Sequence, residues 1–254
     1  MSFIIYIKLQ KKHLVIIIEN REIFYDSLKY PSADWLKVII LGVLVLLPII
    51  GILSPFTFTS PLLLLLGFLP LGYLFRIIES FIAGSDELPN FDDWSLMATN
   101  GFKVAIVATC YAIPLIILSL ILIVLQGTLN SFFISGFTLW SFLAGSPIQL
   151  TLFILIGLIE SIAFTNMALY NGKISAAFRF TEILERISMI GWAKYLLWYI
   201  SVLLIGLISV LISDFAVMII IGMILVPLLI IPYTAMLITR SLSLIFASSE
   251  AYEP

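Results

Sequence analysis

Six apolar runs, each close to 20 residues long, divide this chain and leave it few places to go. Their limits fall at about 36–54, 61–80, 103–126, 148–170, 194–213 and 215–239. A helix rises 1.5 Å per residue, so about 20 apolar residues cross the roughly 30 Å of hydrocarbon in a bilayer. The last two runs are nearly continuous, because from Tyr195 to Thr239 only Ser213-Asp214 interrupts the apolar text. One helix of that length would measure roughly 68 Å, about twice the membrane. Two passes joined by a tight turn at Ser213-Asp214 are therefore expected.

Composition agrees with a life in lipid. With 62% hydrophobic and 11% charged residues, and a mean hydropathy of +1.18, the chain lacks the polar surface that a water-soluble globule of this size needs. A net charge of −2 speaks against nucleic acid as a partner, which demands a concentrated basic face. The single Cys110 allows no disulfide framework or thiolate metal cage, and the single His13 excludes the usual histidine metal sites and triads. No catalytic constellation or cofactor motif is present, and none is expected.

The thirteen Lys and Arg residues then fix an orientation. Lys8, Lys11, Lys12, Arg21 and Lys29 precede the first run, and Lys37 lies at its edge. Arg76 and Lys103 flank the connection between runs two and three; Lys173, Arg179, Arg186 and Lys194 lie between runs four and five; Arg240 follows the last. The alternate connections, 54–60, 126–147 and Ser213-Asp214, carry none. Basic loops stay in the cytoplasm, so both termini are predicted cytoplasmic in the cell membrane. An even number of spans is required by this alternation, and six satisfies it.

The expected architecture is an all-α integral membrane protein, six transmembrane helices as three consecutive hairpins, with amphipathic interfacial helices on the cytoplasmic side. Residues 1–21 form an N-terminal extension, 22–246 a single membrane domain and 247–254 a short tail. The first segment is no cleavable signal peptide: Leu14 to Ile18 is too short an apolar stretch and runs into Glu19-Asn20-Arg21-Glu22. Strand and frayed helix fit residues 2–9 equally well, and a start near Asn20 is the alternative beginning. Entry texts repeat, as Pro31-Ser32-Ala33-Asp34-Trp35 before run one and Pro89-Asn90-Phe91-Asp92-Asp93-Trp94 before run three. Phe178 to Leu184 before run five keeps only the aromatic and acidic character. The similarity suggests a parallel triplication.

Residues 173–190 read as one interfacial helix. Ile174, Ala177, Phe178, Leu184, Ile187 and Ile190 share a face, with Arg179, Glu182, Glu185 and Arg186 opposite and Glu182 four residues before Arg186. The uncharged stretch 126–147, with Phe132, Phe133, Phe137, Trp140 and Phe142, reads as an outer interfacial or re-entrant segment.

Two polar constellations stand out. Asp86, Glu87, Asp92 and Asp93 form an acidic loop whose spacing is not that of an EF-hand. Its two readings are helix capping by Asn90 or Asp92 with interfacial anchoring by Trp94, and a metal or partner site. Glu160 is the one acid in mid-span, beside a small-residue stripe of Gly157, Ser161 and Thr165, with Asn166 further on. A charge at such depth costs about 3 kcal/mol or more, so the carboxyl is expected to be neutral, paired or facing water. It is either a proton or cation site or a hydrogen-bonding link between helices. Prolines 48, 70, 114, 227 and 232 add kinks without deciding between these readings.

The stretch Gly84-Ser85-Asp86-Glu87-Leu88-Pro89-Asn90-Phe91-Asp92-Asp93-Trp94, after Leu71-Gly72-Tyr73-Leu74-Phe75-Arg76, resembles a family of prokaryotic, largely archaeal membrane proteins, domain of unknown function 4013. Ser27-Leu28-Lys29-Tyr30-Pro31 and Ala176-Ala177-Phe178-Arg179-Phe180 are similar to it as well, and the likeness runs from about residue 22 to 246. The resemblance implies a multi-pass helical protein and no particular activity. The expected function is that of a non-enzymatic membrane component, a scaffold or partner subunit; the alternative is a transporter or channel for a small solute, ion or lipid that uses Glu160. Expected partners are the bilayer and another membrane protein or a second copy of the chain.

Overall fold

The structure, a computed structural model, describes residues 4–9, 12–17, 20–53, 65–126, 147–219 and 221–250. Two of the connections without Lys or Arg, 54–60 and most of 126–147, lie outside them, and with them the expected outer interfacial segment. Two strands, β1 (Ile4–Leu9) and β2 (Lys12–Ile17), pair antiparallel with Ile4 opposite Ile17. Their β-branched content suits a pleated ribbon, which decides the opening segment for strand.

From Asn20 onwards the described chain is helical. α1 (Asn20–Ser32) and α2 (Trp35–Leu53) meet at a break of 81°. The break follows from local chemistry: Asp34 caps α2 by accepting the Lys37 amide at 3.3 Å, just past Pro31. Then come α3 (Phe68–Ile82), α4 (Trp94–Gln126) and α5 (Pro147–Leu169). A 3-10 turn (Ile174–Phe178), α6 (Phe180–Ile190) and α7 (Trp192–Val217) follow. The chain closes with α8 (Gly222–Leu225), a π segment (Val226–Ile230) and α9 (Ile231–Glu250).

Among the described residues, four stretches are long and apolar enough to cross a membrane: Trp94–Leu122, Pro147–Leu169, Trp192–Val217 and Gly222–Ser249. The bent pair α1–α2 makes a fifth if counted as one broken span. The reversal expected at Ser213-Asp214 is not there. Ser213 donates its hydroxyl to the Ser209 carbonyl one turn back, at 2.7 Å, and so stays helical. The chain turns between Val217 and Gly222 instead, where the absent Gly222 side chain leaves room for the Ala216 carbonyl. The last helix also runs past Thr239 to Glu250, and residues 239–249 are buried on every side.

That buried run marks the centre. α3, α5 and α9 touch one another; α2 packs on α3 and α9, α4 on α3 and α5, and α7 on α9. Side-chain bonds from Tyr195 and Tyr199 also tie α7 to α5. Each of the outer three, α2, α4 and α7, opens on a half-exposed tryptophan: Trp35, Trp94 and Trp192. The third of these, Trp192, lies fourteen residues beyond Phe178.

Close crossings hold the bundle. Gly72 of α3 lies against the Met97 carbonyl of α4, and Gly101 of α4 against the Phe68 carbonyl, so a side chain at either position would occupy the other backbone. Gly42 of α2 meets the Leu228 carbonyl in the π segment. Pro232, four residues later, has no N–H to offer that carbonyl, which frees it for the contact and explains the widened turn. Two apolar clusters fill the interior, one around Phe75, Ile162, Met167, Trp198 and Phe246, the other around Tyr30, Val38, Leu41, Tyr73 and Met236.

Candidate functional site

The polar face of α5 meets α7 through a paired set of tyrosines. Tyr195 and Tyr199, one turn apart on α7, stand opposite Ser161 and Gly157, one turn apart on α5. Tyr195 donates to the Leu158 carbonyl at 2.5 Å, so the 2.6 Å bond with Ser161 takes its proton from the serine. Tyr199 donates to the Ile154 carbonyl at 3.1 Å, its hydroxyl 2.5 Å from where a Gly157 side chain would begin. The small-residue stripe therefore seats α7 within the same chain.

Thr165 returns its hydroxyl to the Ile162 carbonyl at 2.9 Å, and Asn166 donates to the Ala176 carbonyl at 2.9 Å, anchoring the 3-10 turn. Both are fully buried, and the Asn166 Oδ1 has no hydrogen-bond partner among the described residues. Tyr111 of α4 reaches the neighbouring Ala177 carbonyl at 2.7 Å and stacks on Phe178 with centroids 5.5 Å apart.

Glu160 differs from its neighbours. It is half-buried. No hydrogen bond or ion pair holds its carboxyl among the described residues. Ser161, Thr165 and Asn166 are sequence neighbours that spend their polar groups elsewhere, so the four do not form one site.

The acidic loop is a built structure. Asp86 pairs with Arg240 at 2.9 Å, and the same guanidinium takes Asp26 of α1 at 2.8 Å while lying over the rings of Tyr30 and Phe81. The Glu87 carbonyl accepts from Tyr30 at 3.3 Å, Leu88 from Lys37 at 2.7 Å and Pro89 from Tyr73 at 3.0 Å. Tyr73 in turn stacks flat on Phe91 at 4.0 Å. Asp92 pairs with Arg76. The helix cap falls to Asp93, not to Asn90 or Asp92: with φ at 47° its side chain accepts the Leu96 amide at 3.2 Å, which starts α4 well before Lys103. Asp86, Asp92 and Asp93 turn their carboxylates to different partners, and among the described residues no group of three or more His, Cys, Asp or Glu could hold a metal.

The single interfacial helix expected over 173–190 is two pieces, broken at Arg179 (φ −83°, ψ 70°). The break rotates the second piece, so Ile183, Ile187 and Ile190 are buried and Leu184 is exposed. Glu182 pairs with Arg179 at 3.4 Å and accepts from Tyr170 at 2.8 Å, a bond that raises the Tyr170 phenol above its ordinary range. Arg186 lies over Phe246.

Sequence reading passed over Arg240, Tyr111 and the Tyr195/Tyr199 pair. The i, i+4 spacing of the two tyrosines opposite Gly157 and Ser161 was the available signal. A second network, Glu79–Asn100–Lys103, joins α3 to α4 through bonds of 3.3 Å and was equally unmarked.

No curated protein and no solved structure matches the chain. A family match, to the protein of unknown function DUF4013, covers residues 56–218, a narrower stretch than the likeness over 22–246 and one that includes the acidic loop, the tyrosine pair and Glu160. With more than half of its length in that match, and with the membrane-length helices the match contains, the chain belongs to the DUF4013 family.

Proposed function

We propose that this is a six-span protein of the cell membrane, three consecutive helical hairpins with both ends cytoplasmic, acting as a non-enzymatic component that partners another membrane protein or a second copy of itself. The hairpins are α2/α3, α4/α5 and α7/α9, within one membrane domain that follows the β-hairpin extension. Support comes from the mutual contact of α3, α5 and α9, and from the tryptophan that opens each outer helix. The one-sided Lys and Arg residues give the direction.

The observation that carries the component reading is how the polar groups inside the bundle are used. Ser161, Tyr195, Tyr199, Tyr111 and Asn166 bond to neighbouring helices or to the backbone, and Ser209 bonds Thr234 across α7 and α9 at 3.0 Å. Such groups hold helices together. One observation favours the second reading, a transporter or channel: the Glu160 carboxyl is not spent in this way.

Proteoliposomes separate the two. Purified protein is expected to leave imposed proton, sodium and potassium gradients as stable as in empty vesicles. A gradient that collapses with wild-type protein and survives with Glu160→Gln would replace the component reading with transport.

A further inference from the structure

We infer that the π segment Val226–Ile230 is a hinge, about which α8 and the end of α7 tilt against α2 while α9 stays fixed in the bundle. The inference goes beyond the component reading and does not depend on it.

The backbone supplies the weak point. Pro227 and Pro232 bracket the segment, and neither has an N–H with which to hold the turn before it. Between them the Ile231 amide reaches back to the Val226 carbonyl, five residues away, so this turn is wider than an α turn. The ladder is interrupted twice and slackened in between, and a helix bends where such bonds are missing. Gly42 supplies the bearing. With no side chain there, the Leu228 carbonyl lies against the α2 backbone, and the two helices meet at the pivot without interlocking side chains.

The two sides of the segment are held very differently. Directly after Pro232, Tyr233 donates to the Leu28 carbonyl at 2.6 Å and Thr234 bonds Ser209 at 3.0 Å. Further along, Arg240 pairs with Asp26 and Asp86, and Ser248 accepts from Lys194 at 3.1 Å. On the other side α8 is Gly-Met-Ile-Leu, with no polar side chain to fasten it, and Met223 and Ile224 are 58% and 57% exposed. A body fastened to three neighbouring helices and the acidic loop thus gives way, at the interrupted turns, to an end that only apolar contact restrains. That is the arrangement in which a bend is a moving part, because tilting the outer end breaks none of the bonds that hold α9.

The test uses the full chain in nanodiscs, in a Cys110→Ser background, with pairs of spin labels read by double electron–electron resonance. Labels at Ile224 and Leu36 set the outer end against α2; labels at Leu197 and Leu36 set the fixed body against the same reference. Ile224 and Leu197 are similarly exposed, at 57% and 61%, so local motion of the label is matched. The first pair is expected to give a distance distribution about twice as wide as the second, or wider. Pro227→Ala and Pro232→Ala each return an N–H to the ladder, and each should narrow the first distribution while leaving the second unchanged. A first pair no wider than the second overturns the proposal and needs no proline variant to fold. So does a first pair that stays as wide in both folded alanine variants.

Discussion

Arg240 and Asp86, 154 residues apart, form a 2.9 Å ion pair in which the arginine is 4% exposed and the aspartate 65%. The asymmetry matters. The acid can keep much of its hydration, while the guanidinium is committed to the interior, with Asp26 and the rings of Tyr30 and Phe81 completing its surroundings. One side chain of α9 thereby fastens α1 and the acidic loop to the centre of the bundle.

Arg240→Met should therefore cost far more than loss of either acid. About 3 kcal/mol is expected, since a buried arginine contributes packing and two charge-assisted bonds. Asp86→Asn, which removes one charge at an exposed position, should cost about 1 kcal/mol or less. Thermal unfolding in detergent, read as a double-mutant cycle between positions 86 and 240, measures the coupling. Equal costs for the two substitutions would contradict the asymmetry.

Replacing Gly72 with leucine should open the crossing of α3 and α4. The new side chain has no room beside the Met97 carbonyl, so the helices must separate along their length, at a cost of about 3 kcal/mol. Gly206, which has nothing within 4 Å of its missing side chain, is the matched control and should accept leucine within about 0.5 kcal/mol. The yield of folded, monodisperse protein reports the difference.

Tyr195→Phe removes the bond to the Leu158 carbonyl and leaves Ser161 to bond only its own helix. A loss of about 1 kcal/mol is expected, the usual scale for interhelical bonds in membranes. Adding Ser161→Ala to the Tyr195→Phe variant should cost little more, because the pair acts as a unit. Additive costs would show that the two hydroxyls are independent.

Topology is open to direct labelling. In a Cys110→Ser background, cysteines placed at Ser131 and Ser175 should react with a membrane-impermeant maleimide from opposite sides, Ser175 from the cytoplasm. Reaction of both from one side would dismantle the six-span hairpin arrangement.

Much of the helical body was readable in the residues, because membrane-length apolar runs leave little choice. The run at 148–170 matches α5 almost residue for residue, and the Pro-to-Trp texts mark the starts of α2 and α4. What could not be read depended on contacts made at a distance. Ser213-Asp214 looks like a turn by polarity, but a serine that bonds one turn back is at home in a helix, and the true reversal relies on a glycine set in apolar text. Leu184 falls on the wrong face because a helical wheel assumes an unbroken helix, and the break at Arg179 resets the phase. Arg240 looks like a flanking cation until the acids that surround it are brought in from α1 and the loop.

The enclosed stretch of α9 also sets an order of events. Every helix that α9 touches precedes it in the chain, so during synthesis those helices emerge before their common partner exists. Until α9 arrives, the faces that will enclose residues 239–249 have only lipid, water or one another to cover them. Assembly of the centre is thus a late step, and a lesion in α9 would be felt by the helices already made.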